Sequence, residues 1–251
     1  MRQILVLLVC FTLTSCAELL QIVSQETIKK AIPISNSENI SGLKNSLNIG
    51  IENAVGNLGV QDGFLKNSAT KILLPSEAQP ILDNLKLIPG GQNLVDKAVL
   101  SLNRSAEDAV KEATPIFKKA ILNMTISDGA KILFGGNEAA TEYLRKNTYS
   151  QLQAAFAPIV KTSLGKPLLA GISTNDSWKT LSSGYNSVAT SQMGKITGLK
   201  VVNVSLENYV TEKALDALFV KLAEEEEKIR TNPVARVNEL LKKVFGQLDK
   251  K

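Results

Sequence analysis

Histidine is absent from the 251 residues. With it go the commonest general base at neutral pH and the commonest protein metal ligand. Cysteine is nearly absent as well. Cys10 and Cys16 both fall in the first sixteen residues, so the rest of the chain has no thiol for a nucleophile, a disulfide or a zinc site. Aromatic residues make up only 5%, and the core must therefore be built from Leu, Ile, Val and Ala, a set that favours helices over sheet. No stripe of basic residues stands out. The net charge is +5, but the lysines are scattered among acids, which excludes a nucleic-acid footprint and leaves a weak attraction to anionic lipid surfaces. Gly90-Gly91 and Gly135-Gly136 lack the preceding strand and following Lys-Ser or Lys-Thr of a phosphate loop, and read as helix terminators. No nucleophile-elbow serine and no calcium loop is present. The expectation is a non-enzymatic protein with no catalytic residue, no metal, no cofactor and no nucleic-acid partner.

The N-terminus reads as an address. Arg2 gives a positive start, and Ile4 to Leu13 is an apolar run of ten residues, too short to span a bilayer. Leu13-Thr14-Ser15-Cys16 follows and resembles the bacterial lipobox, in which the cysteine is acylated and becomes the new N-terminus. Residues 1–15 are expected to be a lipoprotein signal peptide, with Cys16 the lipidation site and the membrane a partner through that anchor. Two or more acyl chains hold a protein stably where one does not. Ala17, rather than an inner-membrane retention Asp, points by analogy to the outer membrane, with the body facing the periplasm.

Residues 16–36 read as a tether or short helix, and residues 37–248 as one all-helical domain. Ile40, Leu43, Leu47, Ile51, Ala54 and Leu58 recur at helical spacing, with Ser37 as the expected cap and Gly59 as the stop. Ser76 with Gln79 reads as a capping box. The stripe from Leu94 to Met124 is nearly unbroken and carries the small residues Ala98, Ala106, Ala109 and Ala113, with Pro115 as a kink or a junction of two helices. Shorter helices are expected after Ser127 or Asp128, from Asn137 to Lys146, after Ser150, and from Asn175 or Asp176 through Val188. Lys200 to Val204 has the composition of a short strand. Ser205 should cap a long helix that Asn232-Pro233 stops, and Val234 to Leu248 gives a second stripe. The fold class is therefore all-α, a single multi-helix bundle-like domain of about eight to ten helices with little or no sheet.

Two polar stretches interrupt these stripes. Glu224 to Glu227 form a run of four carboxylates, and Glu224 with Lys228 and Glu226 with Arg230 are i,i+4 pairs in the favourable order. Glu226 alone also lies on the inward stripe. A carboxylate there needs a partner, and Arg236 or Arg104 is expected to supply it, locking the last two helices to the Leu94–Met124 segment. Asn103-Arg104-Ser105-Ala106-Glu107 places Asn103 and Glu107 on one flank of a helix, with Arg104–Asp108 and Glu107–Lys111 as i,i+4 pairs. The flank is either a solvated side or a polar network facing another element.

Asp62-Gly63-Phe64-Leu65, Leu74-Pro75, Asn103-Arg104-x-Ala106-Glu107, Met124-Thr125-x-x-Asp128, Gly135-Gly136-x-x-Ala139-Ala140-Thr141 and Glu225-Glu226-x-x-Ile229-Arg230-x-Asn232-Pro233-x-x-Arg236 together resemble the bacterial "domain of unknown function 4197" family. The resemblance runs from about Ile40 to Gly246. It departs at Ser105, where that family usually has Ala, and around Gly165 to Asp176. It implies an exported helical protein, often a lipoprotein, and groups Asn103, Arg104, Glu107, Arg230 and Arg236 with Glu226 as a candidate polar network. The expected function is an outer-membrane lipoprotein binding an apolar or amphiphilic ligand, or an envelope partner. The alternatives are a scaffold without ligand and a hydrolase using Glu107, Glu226 or Asp128.

Overall fold

Ten α-helices and four short 3-10 segments carry residues 34–250, the part of the chain described by the computed structural model. The expected signal peptide, Cys16 and the tether up to Pro33 lie outside the described residues. In chain order the helices are α1 (Asn36–Leu58), α2 (Gln79–Asp83), α3 (Gly91–Val110), α4 (Ala113–Asn123), α5 (Gly129–Leu133), α6 (Ala139–Gly165), α7 (Thr174–Ala189), α8 (Gln192–Ile196), α9 (Leu206–Thr231) and α10 (Glu239–Phe245). No strand forms among the described residues. The one bridge, Leu169 with Ile172, closes a tight turn in which Ala170 and Gly171 both adopt positive φ. The all-α expectation holds.

The long apolar stripes meet in one core. α9 packs on both α1 and α6, α3 packs on α6 and α7, and α4 and α10 close against α1. Leu43, Leu47, Ile51 and Leu58 of α1 and Val210, Leu215, Leu218 and Leu222 of α9 are fully buried. Each such side chain stabilises the fold by about 1.5–3 kcal/mol. Phe117 of α4 meets Phe219 of α9 with ring centroids 5.5 Å apart. The small residues foreseen on the Leu94–Met124 stripe, three on α3 and Ala113 at the start of α4, are all buried. α1 uses glycine for the same purpose, since a Cβ on Gly42 would stand 2.7 Å from Val244 of α10 and one on Gly50 2.6 Å from Leu222 of α9.

Several boundaries differ from the sequence reading, each for a local reason. The Leu94–Met124 stripe breaks at Lys111-Glu112, before Pro115, whose ring would clash with the carbonyl four residues back. Pro115 then sits in the first turn of α4, where its missing N–H costs nothing. Conversely, Asn137–Lys146 and the stretch after Ser150 are one helix, α6, with Pro158 inside it. Ala154, whose carbonyl loses its partner there, and Pro158 itself both face solvent. The capping box at Ser76 does not form, because Gln79 bonds Asp83 and Ser76 bonds Glu77. Ser205 starts α9 without a side-chain cap. The last stripe also begins later than expected. Asn238 caps α10, so Val234 and Val237 fall in a turn and are exposed rather than inward.

Lys200 to Val204 forms no strand and is irregular. Asn186 of α7 takes the place of a strand partner: its side chain accepts from Val202 N–H at 2.8 Å and donates to Val202 C=O at 2.9 Å.

Candidate functional site

The six candidate residues fall into three clusters rather than one. The first surrounds Glu226, on the buried side of α9. Its Oε1 accepts from the Ala140 N–H at 2.9 Å, and its Oε2 accepts from the Thr141 N–H and the Thr141 hydroxyl, both at 2.7 Å. These are the second and third residues of α6, whose N–H groups have no partner within the helix. The carboxylate thus caps α6 from another helix and sits at the positive end of its dipole. Arg230, one turn on, bonds the same Oε1 through Nε at 2.8 Å and Nη2 at 2.6 Å. Its Nη1 donates to Leu133 C=O at 2.6 Å and Nη2 to Ile132 C=O at 3.2 Å. Arg230 therefore caps the C-terminus of α5 while Glu226 caps the N-terminus of α6. The Gly135-Gly136 turn joins the two ends. Both side chains are at least 98% buried.

This corrects two expectations. The partner of Glu226 is neither Arg236 nor Arg104 but Arg230, so the i,i+4 pair read as surface support is the buried one. The cluster locks α9 to α5 and α6, not to the Leu94–Met124 segment. The geometry decides this, since both side chains leave the same helix face one turn apart. The rest of the acidic run also re-pairs. Glu224 bonds Lys221, while Glu225 bonds Lys228 and Asn53.

The second cluster hangs on α3. Arg104 bonds Asp62 and Glu107, both at 2.6 Å, and Glu107 Oε1 accepts from the Phe64 N–H at 3.3 Å. Asp62 stands at φ 68°, a left-handed conformation that its short polar side chain tolerates. Arg104 and Glu107 pair with each other, so the foreseen Arg104–Asp108 and Glu107–Lys111 pairs do not form. Asp108 instead takes Lys166 and the Ser163 hydroxyl. Asn103 is fully buried and treats Ile72 as Asn186 treats Val202: it accepts from Ile72 N–H at 2.9 Å and donates to Ile72 C=O at 2.8 Å. The polar flank of α3 therefore clamps residues 62–74 onto the core. Two residues on from Asn103, the Ser105 hydroxyl contacts Thr174 Oγ1 at 2.7 Å and Ser163 C=O at 3.1 Å. The two departures from the family pattern, Ser105 and the loop from Gly165 to Asp176, thus touch.

Arg236 forms the third cluster alone. It donates to Ile229 C=O at 2.9 Å and Arg230 C=O at 3.0 Å near the end of α9, and it grips Asp249 with two bonds. Asp62 and Asp249 escaped the sequence reading. Nothing in the sequence marks the Asp62 carboxylate as a partner of Arg104.

The arginine hydrogen bonds hold the carboxyls of Asp62 and Asp249 below the usual carboxylate range, with Lys66 adding to the effect at Asp62. At Asp108, burial pushes upward and the bonds from Lys166 and Ser163 outweigh it, so that carboxyl is lowered too. A lowered folded-state value means these groups stay charged longer in the folded chain than in the unfolded one. Their stabilisation is complete above the ordinary value of 3.8 and is lost as pH falls through the lower folded values. We predict a melting temperature that is level between about pH 7 and pH 5 and drops below about pH 4. Asp62→Asn and Asp249→Asn should each flatten that drop; an unchanged profile in both would refute the assignment.

Every candidate carboxylate is engaged. Glu226 and Glu107 are buried against arginines, and Asp128 caps α5 by accepting from Lys131 N–H at 2.9 Å. Among the described residues no cluster of acidic or thiol side chains has the form of a metal site, and no helix is long and apolar enough to cross a membrane. Neither a curated protein nor a solved structure matches the chain. Over residues 33–246 it matches the family described as "Protein of unknown function (DUF4197)", and it belongs to that family.

Proposed function

We propose that this is a lipid-anchored protein of the outer membrane, held by acyl chains on Cys16, and that its helical body works by binding rather than by chemistry. One observation carries the second half of this reading. Each of the three candidate carboxylates, Glu107, Glu226 and Asp128, is already spent as an acceptor for backbone N–H groups or an arginine. A general acid or base must exchange protons with a substrate in an open cleft. Glu107 and Glu226 are closed off from any such cleft, which argues against the hydrolase alternative. The anchor rests on Leu13-Thr14-Ser15-Cys16 behind the apolar run.

Binding is assigned to the surface. The core positions between α1, α3, α6 and α9 are filled by Leu, Ala, Val and Phe side chains, and two surface depressions are open grooves. Cys16→Ser should abolish palmitate labelling in cells and release the protein from the membrane pellet. Retention of the variant in the pellet would refute the anchor. Crosslinking in intact envelopes and lipid extraction of the purified protein test the binding half; finding neither a stoichiometric protein partner nor a bound amphiphile would sink it.

A further inference from the structure

A groove of about 450 Å³ runs between the loop 69–76 and the outer face of α9. Its inner wall is held firmly. Asn103 clasps Ile72 from below, and the Tyr209 hydroxyl of α9 donates to Leu73 C=O at 2.9 Å across the groove. Two kinds of surface face it. Leu73 is 58% exposed and Val220 of α9 is 36% exposed, so two apolar side chains stand in water. Lys71 and Lys213 flank them, both exposed, and neither has a carboxylate within ion-pair distance among the described residues. Lys213 Nζ lies 5.8 Å from the centre of the Tyr209 ring, a weak cation–π contact that leaves its ammonium protons available. Thr70 also lines the groove. It is nine-tenths buried, and its hydroxyl finds no hydrogen-bond partner in the protein.

The acidic groups nearby cancel only part of this charge. Asp216 lines the groove but is bonded to Arg145 and to the Tyr149 hydroxyl. Glu77 stands close enough to add to the burial that raises the Tyr209 phenol, and it takes the Ser76 hydroxyl. The groove therefore offers two ammonium groups without a carboxylate partner beside apolar walls.

We infer that this groove binds a single-chain anionic amphiphile, with its headgroup on Lys71 and Lys213 and its tail along Leu73 and Val220. A neutral lipid would leave the ammonium groups unpaired. A small hydrophilic anion would leave Leu73 and Val220 wet. A volume of about 450 Å³ is at the small end of ligand pockets and suits one chain better than a two-chain phospholipid. The assignment names the ligand class for the binding reading above and rests on it.

The test uses the full chain carrying Cys16→Ser, so that no covalent acyl chain competes for the groove. Decanoate, decanol and inorganic phosphate are titrated calorimetrically. Decanoate should bind saturably, one per chain, and decanol should bind about tenfold more weakly, the loss expected when a charge-assisted hydrogen bond is removed. Phosphate should not bind measurably. Lys71→Gln with Lys213→Gln should weaken decanoate by at least about tenfold and erase its salt dependence. Val220→Trp, which fills the groove, should abolish binding, with circular dichroism showing both variants folded. Equal binding of decanol and decanoate, or undiminished decanoate binding in either variant, would overturn the assignment. So would the absence of any decanoate binding. If a stoichiometric envelope partner were captured while decanoate failed, the groove alone would be lost and the binding reading would stand.

Discussion

Glu226→Ala will destabilise the protein by roughly 3–5 kcal/mol, the range for removing one partner of a buried ion pair. A domain of this kind is stable by about 5–15 kcal/mol in total, so the loss is a large fraction of the whole. The cost has separable parts. Arg230, at most 2% exposed at its side chain, keeps its bonds to Ile132 and Leu133 C=O but loses its counter-charge. The Ala140 and Thr141 N–H groups lose their acceptor at the buried start of α6. The Thr141 hydroxyl is also orphaned. Glu226→Gln separates these effects. Its amide oxygen can still accept one N–H while the charge is gone, so it should cost less than alanine but remain clearly destabilising. Arg230→Ala should resemble Glu226→Ala, and the double variant should cost less than the sum because the two share one network. Urea denaturation followed by circular dichroism measures all four. A change within about 0.5 kcal/mol for Glu226→Ala would mean that the pair is not buried in solution.

Glu226 also marks how far the sequence could be read. Its place on the inward stripe, four after Leu222 and three before Ile229, was legible because helical period alone sets it. Its partners were not. The Ala140 and Thr141 groups it caps are backbone N–H groups 85 and 86 residues away, and no side-chain identity advertises them. Arg230 was visible as an i,i+4 neighbour, but spacing cannot say whether such a pair faces water or the core. Arg236 was assigned to the wrong carboxylate for a similar reason. Its role is to hold the carbonyls of Ile229 and Arg230, acceptors that every helix end presents whatever its sequence. The helices themselves were mostly found, and their ends less reliably. Ser150 has the residue type of a cap, yet tertiary packing runs α6 straight through it. Pro158 is accommodated within α6 because the carbonyl it frees is on the solvent side.

Asn103→Ala is the second large effect, expected at about 2–4 kcal/mol because two buried backbone groups lose their partners together. Asn103 acts as a single-residue substitute for a β-strand. It satisfies both the N–H and the C=O of Ile72, whose side chain is buried in the core. Its third bond, to Val99 C=O one turn back on α3, adds little to the cost, because that carbonyl belongs to the helix ladder already. Asn103→Asp does not rescue. It keeps an acceptor for the Ile72 N–H, but it loses the donor to the Ile72 C=O and buries a charge that has no counter-ion assigned to it. Asn103→Leu preserves volume yet leaves the same two groups unpaired, so it should cost nearly as much as alanine; a mild effect would show that packing, not hydrogen bonding, is what Asn103 provides. The site of the damage distinguishes this from general unfolding. Amide exchange at Ile72 should quicken well beyond the global loss of stability, while the amides of Leu215 and Leu218 in α9 slow or quicken only with the whole fold. The 69–76 wall of the groove is held from below by this clasp, so decanoate affinity should fall in Asn103→Ala under conditions where α9 is still fully protected. Unchanged exchange at Ile72 in a folded Asn103→Ala variant would show that the 69–76 loop is held by something other than the asparagine.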